Sequence, residues 1–245
     1  WATWLRRPPV ARQLVEQLYL GADPLEGTWR EEEPLESFMT HVSDVDVDIV
    51  LEVAPQPVRL YVELGSYQGE SAVLAAQRAA RRFGQLGGGL SAETTILAVD
   101  TFIGDCRVLW EQPPDVRRHH VRQDGTLTQF DRFKTFVRRS GVADAILPLQ
   151  ATSIVGLKLL RSLARQGLVP QPEVIYLDSA HEEGEVLLEM ELAWDTVAPG
   201  GILFGDDWDI GDGAVKRDVL RFAAAHAGEM DDSLGRHIQS MGRAV

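Results

Sequence analysis

Two short runs concentrate the groups that could do chemistry. One is Asp178-Ser179-Ala180-His181, behind the apolar stretch Val174–Leu177. The other is Asp206-Asp207-Trp208, behind Gly201–Phe204. Each acidic group follows a short, β-rich apolar run, so each is expected at the end of a strand. If these strands are sheet neighbours, three carboxylates and an imidazole converge on one rim. Three Asp oxygens completed by water match a hard divalent cation such as Mg²⁺ or Mn²⁺. Without a cation, carboxylates this close repel one another and some retain their protons. Asp178, Asp206 and Asp207 are therefore the expected metal ligands, with Asp209 and Asp212 near enough in sequence to replace one of them. The competing reading is that Asp206 and Asp207 cap the following helix. His181 suits a general base, since an unperturbed imidazole titrates at ~6.5; the alternative is that it only orients one of the Asp groups. His119, His120, His226 and His237 have no comparable carboxylate setting and read as surface or loop residues.

A second constellation lies nearer the N-terminus. The run Arg59–Leu64 ends in Gly65-Ser66-Tyr67-Gln68-Gly69. Glycines let a ligand approach the backbone, and the helix N-terminus beyond them favours an electron-rich group. The spacing is G-x-x-x-G, so the middle glycine that admits a pyrophosphate is missing, which disfavours an NAD-dependent oxidoreductase. The next apolar run, Thr95–Val99, ends in Asp100-Thr101. A carboxylate there can accept both ribose hydroxyls of a nucleoside; the alternative is a helix N-cap. A glycine loop after one strand and an acid after the next suit an adenosine ligand without a pyrophosphate. S-adenosylmethionine (SAM) fits that description.

The elements that must position these residues alternate in type. Strands are expected at 59–64, 95–99, 145–149, 174–177 and from 201 to 204. Helices are expected at 70–83, 127–139, 154–166, 182–197 and 215–225, with Ala72, Ala75, Ala76 and Ala79 marking the buried face of the first. Strands alternating with helices imply an α/β fold, a doubly wound, mostly parallel, Rossmann-like sheet whose ligands sit at the C-terminal strand ends. Residues 84–89 form a glycine-rich loop. Residues 1–57 read as an N-terminal appendage, a lid or an interface of a homo-oligomer, leaving 58–245 as the main domain. Within the appendage, 12–20 reads as a short helix, and Trp29, Leu35, Phe38 and Met39 are expected near the pocket side or against a partner subunit. Asp44, Asp46 and Asp48 alternate with valine, a metal pattern or, more simply, the solvated face of a short helix or edge strand.

Composition narrows the function. The chain has 245 residues, with 24 Lys+Arg against 37 Asp+Glu, a formal charge of −13. That surface disfavours nonspecific nucleic acid or anionic membranes as partners. The charge is uneven: residues 107–165 hold eleven Lys/Arg and five Asp/Glu, whereas 173–218 hold two and thirteen. The second stretch gathers negative charge where a cation is expected. A single cysteine, Cys106, excludes an intrachain disulfide or a cysteine-cluster metal site and suits a reducing compartment. No run approaches the ~18 apolar residues of a membrane span, and no signal-peptide core precedes the first strand, so a cytoplasmic protein is expected. The start at Trp1 in place of Met is what an excised or processed segment would show.

The runs YVELGSYQGESAVLAA, ILAVDTFIGD and VIYLDSAHEEGEVLLEMELAWDTVAPGGILFGDDW resemble the class I SAM-dependent methyltransferases of the family-24 type. That group is similar to the metal-dependent sugar O-methyltransferases of macrolide biosynthesis and includes proteins labelled cephalosporin hydroxylase. The likeness spans roughly 58–225. It implies that Glu63, Gly65, Ser66 and Gly69 line the methionine end of SAM and that Asp100 and Thr101 lie at the ribose. It further implies Ser153 near the adenine, Asp178, Asp206 and Asp207 on the metal, and His181 as the base. Gln150-Ala151-Thr152 departs from the acidic residue often found after the third strand. The long segment 102–124 is expected to form part of the acceptor pocket or a lid. The implied activity is transfer of a methyl group from SAM to a hydroxyl of a small molecule, such as a sugar or natural product. The alternatives are a non-catalytic SAM-binding scaffold or an oxidoreductase or hydroxylase; no two-His-one-carboxylate iron pattern supports the last. In this class the sheet usually finishes with an antiparallel strand pair, of which only 237–245 could supply a member.

Overall fold

The computed structural model describes residues 6–35, 42–84, 94–209 and 212–228. The strands β1 (Leu60–Leu64), β2 (Thr95–Asp100), β3 (Ile146–Gln150), β4 (Val174–Leu177) and β5 (Ile202–Gly205) form one sheet in the order β3-β2-β1-β4-β5. Every pairing is parallel. β1, β2 and β4 are buried along their apolar lengths on both faces, as strands between two helical layers must be. The doubly wound α/β architecture expected from the alternation is the one observed. Phe38, Met39, the 85–89 part of the glycine-rich loop and the stretch 237–245 lie outside the described residues.

The helices are α1 (Pro9–Tyr19), α2 (Asp44–Val53), α3 (Glu70–Gly84), α4 (Pro114–Arg117), α5 (Gln129–Arg139), α6 (Ser153–Arg165), α7 (Glu185–Trp194) and α8 (Ala214–Ala225). Leu60, Val62 and Leu64 of β1 face α1, α6 and α7, while Tyr61 faces α2, α3 and α5. The two-residue period of the strand thus feeds two separate cores. Ala72, Ala75, Ala76 and Ala79 are all buried in the second core, where their small side chains let α3 lie close to the sheet.

Residues before β1 take part in both layers. Val10, Ala11, Leu14 and Val15 of α1 are buried against β1 and α6, and Val47, Val50 and Leu51 of α2 against α3 and the other sheet face. Arg7 is buried. It pairs with Asp23 and donates to the carbonyls of Ala143, Asp144 and Ile146, tying the first turn to the start of β3. The Asp-Val alternation is helical. Ser43 and Asp46 form a capping box, and Asp44 and Asp48 pair with Arg78 of α3. α7 is shorter than its apolar spacing suggests. Gly184 takes a left-handed φ of 87° at its N-cap, where the buried Asp218 of α8 accepts from the Gly184 and Leu187 N–H groups. Among the described residues no helix is long and apolar enough to cross a membrane.

Candidate active site at the strand ends

The order of the sheet decides which loops meet. Progression reverses between β1 and β4, and that switch point opens a crevice at their C-terminal ends. The register aligns Leu64 with both Val99 and Leu177, and Leu177 with Gly205. The next residues, Gly65, Asp100, Asp178 and Asp206, therefore share one rim.

At the β4–β5 side, Asp178, His181 and Asp207 offer ligand atoms that all lie within 4.8 Å of one another. His181 Nε2 is 2.6 Å from Asp207 Oδ2 and 3.9 Å from Asp178 Oδ1, and its Nδ1 is 3.9 Å from Asp105 Oδ2. Asp207 reaches this position with a left-handed φ of 61°. Asp206 lies outside that triplet and is joined to it twice: its Oδ1 accepts from Asp207 N–H at 2.8 Å, and the Tyr176 hydroxyl lies 3.2 Å from Asp178 Oδ2 and 3.3 Å from Asp206 Oδ2. The triplet thus holds two of the three carboxylates expected as ligands and the imidazole expected as the base. Neither Asp206 nor Asp207 caps α8, whose N-cap is Gly213.

The electrostatics follow from this crowding. Burial, aided by Asp207 and Asp206 and opposed by His181, raises the Asp178 carboxyl to about 6. Contacts with Asp178 and Asp207 outweigh burial and raise His181 to about 10. Without a cation, His181 is an imidazolium that supplies the positive charge between two carboxylates. The two carboxylates, with water completing the shell, fit a hard divalent cation, and the imidazole between them fits a base.

At the β1–β2 side, Gly65 takes φ 82° and packs against the backbone of β4's end. A Cβ there would overlap the Asp178 carbonyl oxygen and sit 2.6 Å from the carbonyl carbon. Gly69 takes φ 91°, and a Cβ there would lie 2.9 Å from the Phe133 ring. Asp100 is engaged by the loops themselves. Its Oδ2 accepts from the Ser66 and Tyr67 N–H groups at 2.8 and 2.9 Å, and its Oδ1 from Phe102 N–H at 2.6 Å. Asp100 caps no helix; it clamps the glycine loop to its own. Glu63 has no exposed surface, and neither of its oxygens has a hydrogen-bond partner among the described residues. Burial raises its carboxyl to about 8 against the pull of the neighbouring Ser66 and Ser71 hydroxyls. Ser66 Oγ is also buried and, beside the Glu63 carboxyl, makes no hydrogen bond of ordinary geometry. Orphaned buried polar atoms beside a glycine turn fit a polar ligand in this loop.

Other expected residues have different company. Ser153 donates to Glu189 of α7, which also accepts from Ser179 at 2.8 and 2.9 Å. Thr101 accepts from Ile103 N–H through its hydroxyl at 3.4 Å and from Gln150 through its carbonyl at 3.2 Å. Tyr176, Asp105 and Glu189 were not anticipated. Tyr176 had a signal, since a residue two before Asp178 in a strand shares its face. Glu189 had one too, lying at helical spacing with Val186 and Ala193. Two histidine readings are refined: His120 is in a loop but not at the surface, and His226 has a carboxylate partner. His120 is buried near Tyr67, ring centres 6.4 Å apart, and His226 packs on Phe222 and pairs with Glu191 at 3.1 Å. His237 lies outside the described residues.

The 102–124 segment begins with Phe102, buried on Phe130 and Phe133, and continues through a π-helical turn at Cys106–Trp110 and α4. Trp110 donates to the Ile103 carbonyl at 3.1 Å, and both side chains are exposed.

A family model described as "Methyltransferase domain" matches residues 62–208, more than half of the chain. No curated protein matches. Among solved structures, an O-methyltransferase from Bacillus cereus in complex with SAH is 16% identical, with a TM-score of 0.47, covering 77% of this chain and 71% of that one. The O-methyltransferase TomG from Streptomyces achromogenes, involved in tomaymycin synthesis and solved with SAM, is 14% identical, with a TM-score of 0.46 and coverage of 91% and 78%. CalS11, a TDP-rhamnose 3'-O-methyltransferase of calicheamicin biosynthesis, is 13% identical, with a TM-score of 0.47 and coverage of 75% and 70%.

Proposed function

Because the chain belongs to the methyltransferase-domain family, we propose that it transfers a methyl group from SAM to a hydroxyl of a small molecule, with a divalent cation, Mg²⁺ or Mn²⁺, at the strand-end rim. The observation that carries this reading is the convergence of Asp178, His181 and Asp207 beside the glycine loop after β1. When bound, SAM supplies the methyl group and the cation lowers the pKa of the acceptor hydroxyl.

The chain's own residues do the rest. Asp178 and Asp207 hold the cation, with Asp206 linked to them through Tyr176. Asp100 keeps the Gly65–Gly69 loop in the shape that receives SAM, and Glu63 and Ser66 present unpartnered polar atoms to it. Once Asp178 and Asp207 are engaged by a cation, His181 loses the charges that keep it protonated. Its Nε2 can then take the acceptor's proton, a role whose loss costs about 10²–10⁴ in rate. Ile103 and Trp110 give the acceptor an apolar wall. The stretch ending at Leu35, which exchanges hydrogen bonds with Gln68 in the glycine loop, serves as a lid.

The test is methyl transfer from labelled SAM to a panel of hydroxylated metabolites, with Mg²⁺, with Mn²⁺ and with excess EDTA. Activity should require the cation. Asp178→Asn and Asp207→Asn should lose cation affinity while still binding SAM, and His181→Ala should bind both yet turn over slowly. Full activity in EDTA overturns the metal assignment.

A further inference from the structure

Away from the rim, a cavity of about 650 Å³ opens beside the N-terminal end of α5, between the 118–128 segment and the stretch 30–32. Its volume falls within the ~300–1,000 Å³ of small-molecule sites. None of the residues assigned above to SAM or the cation lines it. Its charged lining consists of Arg30, Arg118, Arg122 and Arg132 against Glu32 and Asp124. In a chain of net charge −13, this is a concave positive site, and most of its lining comes from the basic stretch 107–165.

The carboxylates here are already committed. Glu32 is shared by Arg30 at 3.3 Å and Arg122 at 3.1 Å. Asp124 accepts from the N–H and hydroxyl of Thr126 at 3.0 and 2.7 Å. Arg122 has a further partner, Asp131, at 2.7 Å outside the lining. Arg118 is exposed and, among the described residues, pairs with no carboxylate. Arg132 is buried and donates only to neutral oxygens: the Thr128 hydroxyl, the His119 carbonyl and the Glu33 carbonyl. Its charge is therefore not cancelled by a direct contact.

The walls are also fixed before any ligand arrives. Val121 bridges Leu127, Arg122 N–H donates to the Thr126 carbonyl at 2.8 Å, and Arg132 ties the 119 and 33 backbones together. Donors held in place lose little entropy on binding. Guanidinium forks match the oxygens of a phosphate, which carries about two charges where a carboxylate carries one.

We propose that this cavity binds a phosphate group, with Arg118 as the principal donor and the uncancelled charge of Arg132 behind it. The group is either inorganic phosphate or the phosphate ester of a small metabolite. The assignment does not depend on the methyltransferase reading.

The test is calorimetry on the full chain in about 0.15 M salt, to screen diffuse charge effects. The probes are inorganic phosphate, a hexose 6-phosphate and the unphosphorylated hexose. Both phosphates should bind and the hexose should not. The double variant Arg30→Glu/Arg118→Glu, whose side chains are exposed, should keep its melting temperature and lose about tenfold or more in affinity. Arg118→Ala, which removes no ion pair, should weaken binding less. Tighter binding of the ester identifies an esterified ligand, and equal affinities identify the free anion. Absence of heat with either phosphate at millimolar concentration overturns the proposal, as does binding unchanged in the double variant.

Discussion

Gly65→Ala separates two effects that usually act together at glycine. The first is conformational: a Cβ at left-handed φ costs about 1–2 kcal/mol. Gly167, at φ 71°, has nothing within 4 Å of a built Cβ, so Gly167→Ala should suffer that strain alone. Gly65, at φ 82°, adds a collision with backbone, since its Cβ would lie 2.6 Å from the Asp178 carbonyl carbon and 2.8 Å from Ser179 Cα. Relief requires β1 and β4 to separate at their ends. That strains the bond from Asp178 N–H to the Leu64 carbonyl at 2.8 Å. With the left-handed strain, overpacking at about 1–3 kcal/mol and the weakened bond at about 1 kcal/mol bring the total for Gly65→Ala to about 3–6 kcal/mol. At roughly 2–4 °C per kcal/mol for a chain this size, Gly65→Ala should melt about 10–20 °C below the parent and Gly167→Ala only a few degrees below. Because Asp178 is the residue displaced, Mn²⁺ binding should also weaken in Gly65→Ala and stay unchanged in Gly167→Ala. Equal losses of melting temperature in the two variants would refute the close-approach argument.

Three further outcomes follow from the buried charges. Glu63, raised from 4.5 to about 8 by burial, keeps its proton in the folded chain where the unfolded chain has released it. Folding is therefore increasingly penalised as pH rises from 4.5 to 8. In chemical denaturation Glu63→Gln should match the parent near pH 4 yet be more stable above pH 8 by several kcal/mol, about 1.4 kcal/mol for each pH unit between those two values. His181, raised from 6.5 to about 10, contributes stability that is full below 6.5 and lost as pH rises through 10. In cation-free protein its imidazole resonances should titrate near that upper value and move down on adding Mg²⁺; a titration unmoved by Mg²⁺ excludes competition for Asp178 and Asp207. Arg7→Met strands the buried Asp23 and should cost about 3–5 kcal/mol, with part of the loss restored by adding Asp23→Asn, and a thermal melt reads both.

The order of elements and the rim they build were legible from local pattern. A strand's two-residue period and a helix's 3.6-residue period are set by near neighbours, so Leu60–Leu64, Val174–Leu177 and the alanines of α3 declare themselves. So do Asp178 and Asp206, because a polar group directly behind a buried strand must emerge at the strand's end, with His181 and Asp207 following in the same loops. The partners those groups choose were not legible. Asp100 turning its oxygens to Ser66, Tyr67 and Phe102, Gly65 lying against Asp178, and Ser153 turning to Glu189 each join residues from separate strands or helices. Such contacts depend on sheet order and on the register of β1 with β2 and β4, which no periodicity encodes. The same holds for α1 and α2, whose apolar faces are visible in the sequence but whose place on opposite faces of the sheet is not. His120 and the arginines around Arg132 are a further case. A histidine in a polar stretch reads as solvated until a long loop folds over it, and like charges spread along a chain become one site only when that loop, α5 and the Arg30 stretch are brought around a common cavity.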